Sequence, residues 1–283
     1  MEIAVSVNGI TKSFGENMVL DNIRLQIKKG EIFGLLGPSG AGKTTLIKIL
    51  TGQLKAEQGS SSINGTDSQK LTGKDYSGYG IMMDNFGVYE RLSCFENLKV
   101  FARIYRIKND RIHEVLKAVG LGNAKKTPAS ELSKGMKSRL RLARVFMTNP
   151  DILFLDEPTS GLDPATADEI QKMILAEKAK GKTIFLTTHT MTEAEKLCDT
   201  IALLHEGKIV EYGNPMEICR RYNHQKQIRI HLSDGTETEI YHDENAAEIV
   251  SELLRSGKAE TIHTTEPDLE TVFMELTGKE LSQ

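Results

Sequence analysis

The order of hydrophobic and polar positions along the chain predicts three kinds of element. Near the amino terminus, residues 3–7 and 23–27 alternate apolar and polar side chains with period two, as half-exposed antiparallel strands do. Further along, uninterrupted apolar runs predict parallel strands covered on both faces, at residues 31–37, 152–155, 183–188 and 201–204. We therefore expect two different sheets.

Helical spacing of apolar residues appears between and after these runs. It predicts a helix over 43–54, another after Pro164 and another over 191–198. Between Gly73 and Pro150 the pattern is mainly helical, with a capping box that begins at Ser93. We expect a helical insert there, at about residues 85–150.

After Tyr212 the pattern becomes a small unit of its own. The segments "QIRIHL" and "TETEIYH" flank the turn "SDG" and predict a hairpin. A helix over 244–256, a strand over 259–264 and a last helix after Pro267 follow. The sequence thus predicts a domain over 1–221 and a C-terminal β/α appendage over 222–283.

Composition narrows the classes of function. The 283 residues hold 36 Lys plus Arg against 39 Asp plus Glu, a net charge of −3, so no overall field draws the chain to nucleic acid. The three cysteines, Cys94, Cys198 and Cys219, lie far apart, which excludes a C-x-x-C pair and suits a reducing cytosol. The sequence has neither a bilayer-length apolar run nor an export signal, so we expect any membrane role to pass through another chain.

The segment "GPSGAGKT" (37–44) lies between a predicted buried strand and a predicted helix. Glycines there let backbone N–H groups approach phosphate oxygens, and the helix N-terminus adds partial positive charge. A glycine-rich turn with an accidental Lys-Thr pair is the alternative. The pattern predicts ATP contacts from Gly37, Pro38, Ser39, Gly40, Ala41, Gly42, Lys43, Thr44 and Thr45.

The segment "ILFLDEP" (152–158) ends an apolar strand in two carboxylates. Open α/β sheets bind ligands at this end of their strands. We expect Asp156, with the Thr44 hydroxyl, to hold Mg²⁺, and Glu157 to polarise the attacking water. A solvated acidic turn would be the ordinary explanation for an isolated Asp-Glu pair.

Five motifs in order, "GPSGAGKTT", "LSKGM", "ILFLDEP", "SGLD" and "THT", make residues 1 to about 220 resemble the ATP-binding cassette family. The resemblance implies an α/β fold with a RecA-like P-loop NTPase core, an antiparallel β subdomain and a helical subdomain. It also implies ATP hydrolysis, with ATP and Mg²⁺ bound, coupled to transport.

The resemblance assigns further roles by position. Lys43, Glu157 and His189 are the implied catalytic residues, with His189 near the γ-phosphate. Phe14 falls where the family carries an aromatic ring that stacks on adenine. Other residues are implied to act across a dimer interface on ATP bound by a partner subunit, namely Ser133, Gly135 and Asp163. The segment "LSKGM" is the family's signature motif. The basic residues that follow this signature are expected to form a solvated face: Lys137, Arg139, Arg141 and Arg144.

One position departs from the family pattern. Asp84 lies where the family places a glutamine that touches Mg²⁺ and contacts the membrane partner. A carboxylate can bind Mg²⁺ or its waters but lacks a neutral donor. We expect working hydrolysis with altered coupling or metal preference.

The tail "EPDLETVFMELTGKEL" and the appendage resemble ATP-binding subunits of bacterial drug, antibiotic and peptide exporters. This implies a homodimer, or a pair with a related ATPase, beneath separate transmembrane permease subunits on the inner face of the cell membrane. The alternatives are an importer subunit, a non-transport cassette ATPase acting on nucleic acid or the ribosome, and a small-molecule kinase. His231, His242 and His263 lack ligand-like spacing, so we predict no metal there.

Overall fold

The chain forms two compact units, Met1–Asn214 and Pro215–Glu280. The computed structural model describes residues 2–83, 88–224, 227–241, 243–265 and 267–278. Among these residues, no helix combines the length and the apolar character needed to cross a bilayer. Cys94, Cys198 and Cys219 are buried free thiols.

The first unit contains two sheets and a helical segment. Its strands are β1 (Ile3–Phe14), β2 (Asn17–Lys28), β3 (Ile32–Leu36), β4 (Gln58–Ile63), β5 (Thr66–Asp67), β6 (Tyr79–Met82), β7 (Ile152–Asp156), β8 (Thr183–Thr188), β9 (Thr200–His205) and β10 (Lys208–Gly213). Its α-helices are α1 (Lys43–Leu50), α2 (Gly73–Tyr76), α3 (Cys94–Ile104), α4 (Asn109–Ala118), α5 (Lys134–Met147), α6 (Pro164–Ala179) and α7 (Met191–Leu197). Short 3₁₀ turns cover Ser68–Lys70 and Ala129–Glu131.

The first sheet is antiparallel, in the order β2-β1-β4-β5. Ile23, Leu25 and Ile27 of β2 are buried while the residues between them are exposed, so the period-two pattern describes one face on the core and one in solvent. The prediction of antiparallel strands is confirmed, and both strands run longer than the alternating stretches.

The second sheet has six strands in the order β10-β9-β3-β8-β7-β6. Its strands pair in parallel from β9 through β6, and β10 pairs antiparallel with β9. Every residue of β3, β7 and β8 is buried, which explains the uninterrupted apolar runs. Helix α1 adds fully buried side chains to the core that this sheet shares with the antiparallel one: Leu46, Ile47, Ile49 and Leu50.

The predicted helical insert contains α3, α4 and α5. Ser93 and Glu96 form the expected reciprocal capping box at the start of α3. The pattern between Gly73 and Pro150 was read as mainly helical, but β6 lies in that stretch, ahead of the predicted insert, as an edge strand beside β7. Four residues are too few to show a clear strand period, so the sequence pattern missed it.

The predicted solvated basic face on α5 is wrong. All four basic side chains are half-buried: Lys137, Arg139, Arg141 and Arg144. Lys137 Nζ lies 2.8 Å from Glu90 Oε1, and the Arg144 guanidinium lies 4.9 Å from the Phe101 ring centroid. Burial lowers the pKa of Arg144. Long basic side chains can cover apolar surface with their stems, and this is how α5 uses them.

The second unit is a three-stranded antiparallel sheet with helices. Its elements are α8 (Pro215–Arg221), β11 (Gln227–Leu232), β12 (Glu237–Tyr241), α9 (Ala246–Arg255), β13 (Ala259–Thr265) and α10 (Leu269–Thr277), and its strands lie in the order β12-β11-β13. The hairpin and both later helices are where the sequence predicted them, whereas α8 was not predicted. The domain boundary after residue 221 stays a prediction. Among the described residues no group of three or more His, Cys, Asp or Glu side chains could hold a metal ion, and His242 lies outside them.

Candidate active site

The predicted motifs meet at one edge of the six-stranded sheet. Strands β3, β8 and β7 are neighbours and parallel, with Leu36 beside Thr188 and Asp156 beside Thr187. Their carboxyl ends therefore lie together, although the segments are far apart in the sequence. This edge is where open α/β sheets place their ligand sites.

The loop between β3 and α1 needs glycine at specific positions. A Cβ atom at Gly37 would lie 2.3 Å from the carbonyl oxygen of Leu204, closer than any side chain can be accommodated. Gly42 caps α1 with φ of 108°, and a Cβ there would lie 2.8 Å from the carbonyl oxygen of Val19. Close backbone packing against neighbouring segments thus fixes the course of this loop.

The same loop presents unused hydrogen-bond donors. Within the described part of the chain, no acceptor takes the backbone N–H groups of Gly40, Gly42, Lys43 and Thr44. These groups surround the N-terminus of α1, where the helix dipole adds partial positive charge. Such a cradle fits phosphate oxygens.

Asp156 is held by two threonine hydroxyls. Its side chain is 3 % exposed. Thr44 Oγ1 donates to Oδ2 at 2.7 Å, and Thr187 Oγ1 donates to Oδ1 at 2.5 Å. A carboxylate and a hydroxyl beside a phosphate cradle supply the hard oxygen ligands that Mg²⁺ prefers, so the donor set fits this ion.

Glu157 connects the phosphate loop with the end of β8. Its Oε1 lies 3.1 Å from Lys43 Nζ, and its Oε2 lies 2.8 Å from His189 Nδ1. Lys43 Nζ also donates to the carbonyl oxygen of Gly37 at 2.6 Å. The three predicted catalytic side chains, Lys43, Glu157 and His189, therefore lie together.

The backbone at Glu157 is strained, with φ of 49°. Its N–H donates to the carbonyl oxygen and to the hydroxyl of Thr187, each at 3.1 Å. A non-glycine residue in this region of φ/ψ space is uncommon, and such strain clusters at functional sites. Here the strain turns the carboxylate from the strand end toward Lys43.

The other predicted ATP contacts lie elsewhere. Ser133 caps α5, with Oγ accepting from the N–H of Met136 at 3.2 Å. Within the described part of the chain, no hydrogen bond or ion pair joins Ser133, Gly135 or Asp163 to residues 37–45. A single copy thus separates these residues from its own phosphate loop.

Gly135 and Asp163 hold the starts of α5 and α6 together. A Cβ atom at Gly135 would lie 2.5 Å from Thr166 Cγ2, so the two helix starts approach too closely for a larger residue. The backbone N–H of Thr166 donates to Asp163 Oδ1 at 3.0 Å. Hydrogen bonds from the backbone and then the hydroxyl of Thr166 lower the pKa of Asp163.

Phe14 lies at the end of β1 and is 53 % exposed, with Lys12 Nζ 5.2 Å from the ring centroid. It is therefore not a core residue, and an exposed aromatic ring of this kind can stack on a flat ligand. Asp84 lies outside the described residues, so its predicted contact with Mg²⁺ is not tested.

Three residues near the site were not predicted from the sequence: Thr187, Thr159 and Glu193. Thr187 anchors both Asp156 and the backbone of Glu157. A signal for it exists, because "TIFLTT" ends an otherwise apolar strand in two hydroxyl residues at the carboxyl end. Thr159 and Glu193 carry no such signal, since their contact joins two segments 34 positions apart.

A glycine-rich phosphate cradle before a helix, with carboxylates at the end of a parallel strand, defines a P-loop nucleoside triphosphatase. The family model described as ABC transporter matches residues 20–160. The fluoroquinolones export ATP-binding protein of Mycobacterium tuberculosis is 36 % identical, over 98 % of this chain and 94 % of that protein. The bacitracin transport ATP-binding protein of Enterococcus faecalis is 32 % identical, over 98 % of this chain and 97 % of that protein.

Among solved structures, cbiO1 from Clostridium perfringens, part of an ABC transporter complex, superposes with a TM-score of 0.69. It is 28 % identical and covers 79 % of this chain and 95 % of its own. The chain belongs to the ATP-binding cassette transporter family and is an ABC-type ATPase, which binds and hydrolyses ATP. The expected RecA-like core is confirmed.

Proposed function

We propose that this chain is the ATP-hydrolysing subunit of an exporter for a drug-like or peptide-like compound, and that separate membrane subunits carry the compound. The observation that carries the proposal is the contact of Glu157 with both Lys43 and His189 beside the phosphate cradle. The relative named for fluoroquinolones export supports the export direction, and the relative named for bacitracin transport supports the transport role. Both match 98 % of this chain, so the likeness includes the C-terminal segment. We assign residues 222–283 to an accessory domain on the same ground.

The phosphate loop binds the triphosphate of ATP through its backbone N–H groups and Lys43. The contacts come from Gly37, Pro38, Ser39, Gly40, Ala41, Gly42, Lys43, Thr44 and Thr45. Phe14 stacks on the adenine. Glu157 accepts a proton from the attacking water, and His189 Nδ1, 2.8 Å from Glu157 Oε2, holds that carboxylate in place to do so.

Thr44 and Asp156 would hold Mg²⁺, with Asp84 as a third contact. When bound, the ion neutralises charge on the β- and γ-phosphates. Thr44 Oγ1 and Asp156 Oδ2 are 2.7 Å apart in a hydrogen bond, so both oxygens already face one point. Thr187 orients the carboxylate from behind, as the supporting partners of metal ligands do.

The complete site forms between two copies, or between this chain and a related ATPase. Ser133 lies at the start of α5, where the helix N-terminus attracts anions. Within the described part of the chain no hydrogen bond or ion pair ties Ser133 or Asp163 to its own phosphate loop, which supports a role for both residues on the nucleotide of the partner. Each copy then supplies one half of each of the two nucleotide sites.

The membrane subunits contact the helical segment. Three large apolar side chains near the two ends of α3 are exposed. Ile104 is 68 % exposed, Tyr89 is 52 % exposed and Tyr105 is 43 % exposed. Grouped apolar side chains on a surface mark interaction sites. Binding to such subunits would hold the chain at the inner face of the cell membrane.

Replacing Glu157 by Gln tests the reaction. We expect ATP binding to persist and turnover to fall by about a hundred-fold or more, the usual contribution of a general base. The exposed Glu248 on α9 gives a matched control, because Glu248→Gln removes the same charge far from the site residues in sequence. Turnover near the unmodified rate in the Glu157 variant would remove Glu157 as the base.

Light scattering on the same Glu157→Gln protein tests the shared site. ATP and Mg²⁺ should convert it to a dimer, and a second change, Ser133→Arg, should abolish that conversion. A Glu157→Gln protein that binds ATP but stays monomeric at every concentration would contradict the shared site. Co-purification of a multi-span membrane protein, weakened by Ile104→Asp, tests the transport role, whereas recovery of nucleic acid or ribosomes instead would contradict it.

A further inference from the structure

Glu193 is a buried carboxyl group that the proposed reaction leaves without a role. It lies in the first turn of α7, four positions after His189, and is 2 % exposed. Burying a carboxyl group costs free energy unless partners compensate it. The described part of the chain offers Glu193 no ion pair.

One contact of Glu193 reaches the loop that follows Glu157. Thr159 Oγ1 donates to Glu193 Oε1 at 2.7 Å. Thr159 lies two positions after Glu157, and its carbonyl oxygen accepts from the N–H of Leu162 at 3.1 Å. The loop then ends at Asp163. Glu193 is thus tied to the segment that carries both the catalytic carboxylate and the residue that reaches the partner.

Helix α5 holds the same loop from another direction. Ser138 Oγ donates to the carbonyl oxygen of Pro158 at 3.1 Å. The loop therefore has one anchor on the helix that begins with the signature and one on the helix that follows His189. The two anchors together fix the position of the loop between α5 and α7.

The surroundings of Glu193 do not favour a carboxylate for stability. Its Oε2 is buried and has no partner of normal hydrogen-bond geometry among the described residues. Burial raises the pKa of Glu193, against weaker opposing effects of hydrogen bonding from Thr159, Thr188 and Gln171, and the charge of Glu157 raises it further. A neutral side chain of the same size would therefore be buried here at a lower cost in free energy.

We infer that Glu193 is a positioning residue, which fixes the loop 157–163 relative to His189 through its hydrogen bond with Thr159. This inference rests on the proposed roles of Glu157 and His189. The hydrogen bond keeps the Glu157 carboxylate and the imidazole in register when the two copies close. A misplacement of about 1 Å in such a site costs up to roughly a hundred-fold in rate.

If the hydrogen bond between Thr159 and Glu193 served only stability, an apolar pair at these two positions would leave the rate of hydrolysis unchanged. Replacing both partners of a buried hydrogen bond by apolar groups of similar shape is often neutral or stabilising. The double variant Thr159→Val with Glu193→Met removes the bond and the buried carboxyl group together. We expect it to be at least as stable as the unmodified protein in urea denaturation, and yet slower.

The experiment measures kcat and KM for ATP in purified full-length protein. We expect Thr159→Val and the double variant to lower kcat by about ten-fold with KM changed less than about two-fold. Thr159→Ser, which keeps the hydroxyl, and Glu193→Gln, which keeps an acceptor, should stay near the unmodified rate. Thr159→Val alone decides the question if the double variant does not fold.

Thr236→Val is the matched control. The Thr236 hydroxyl also donates to a carboxylate, Asp234 Oδ1, at 2.6 Å, but in the second unit. It should leave kcat unchanged. A normal kcat in Thr159→Val and in the double variant would overturn the inference while leaving the proposed function intact, provided that Glu157→Gln is inactive. An active Glu157→Gln protein would instead refute the assigned base.

Discussion

Thr187 offers a quantitative test of how the strand ends support the site. It is completely buried, and its hydroxyl donates to Asp156 Oδ1 at 2.5 Å and accepts from the backbone N–H of Glu157 at 3.1 Å. Thr187→Val keeps the shape of the side chain and removes both bonds. Because the N–H of Glu157 retains the carbonyl oxygen of Thr187 as an acceptor, the main loss is the bond to the carboxylate.

Hydrogen bonds to charged groups contribute about 1.5 to 3 kcal/mol, so we expect Thr187→Val to lower the free energy of unfolding by about 2 kcal/mol. Asp156 would also lose one of its two hydroxyl anchors. Loss of a partner behind a metal ligand weakens metal affinity by about ten-fold or more, and we expect the Mg²⁺ concentration for half-maximal hydrolysis to rise accordingly. Urea denaturation and an Mg²⁺ titration of the ATPase measure the two effects.

The opposite end of the same strand supplies the control. Thr183 is also buried, and the one hydrogen bond of its hydroxyl among the described residues is accepted from the backbone N–H of Gly30, at 3.0 Å. Thr183→Val should cost about 1 kcal/mol and leave the Mg²⁺ dependence unchanged. An unchanged Mg²⁺ dependence in Thr187→Val would refute the argument that Thr187 orients Asp156.

Three further outcomes are expected. Because burial raises the pKa of Glu193 above the ordinary 4.5, its contribution to stability is full below that pH and is lost as pH rises through the folded pKa. Glu193→Gln should therefore gain stability relative to the unmodified protein as the pH rises above 4.5, and a difference independent of pH would contradict this. Phe14→Ala should raise KM for ATP about five-fold at unchanged kcat, the equivalent of about 1 kcal/mol of stacking, whereas Tyr241→Ala should not. Asp84→Gln should alter the ratio of Mg²⁺- to Mn²⁺-supported hydrolysis, and an identical ratio would make Asp84 a bystander.

The local sequence pattern predicted an element correctly where the element was long or where its chemistry required particular residues at fixed spacing. The antiparallel β1 and β2, the buried β3 and β7, and the helix that begins at Lys43 all follow from periodicity and from the phosphate-loop motif. The short β6 and the half-buried face of α5 did not follow. An edge strand of four residues has too little period, and burial of an arginine depends on what packs over it.

The candidate site divides in the same way. The phosphate loop, the carboxylates that end β7 and the histidine after β8 are each visible as motifs, because their chemistry requires particular residues at fixed spacing. Their supporting contacts are not visible. The hydroxyls of Thr187 and Thr159 are ordinary threonines until the fold brings each one to a carboxylate.

The sequence by itself determined the class of this protein, because a phosphate cradle needs consecutive residues and a helix start, and both are local. Tertiary structure decided which side chains complete the site. Thr44 and Asp156 are 112 positions apart. They meet because the parallel sheet places the carboxyl end of β3, which leads into the helix of Thr44, near the carboxyl end of β7, where Asp156 lies. Tertiary structure also decided that, among the described residues, neither Ser133 nor Asp163 is hydrogen-bonded to its own phosphate loop. That arrangement depends on how the helices pack against the sheet, which no short sequence pattern encodes.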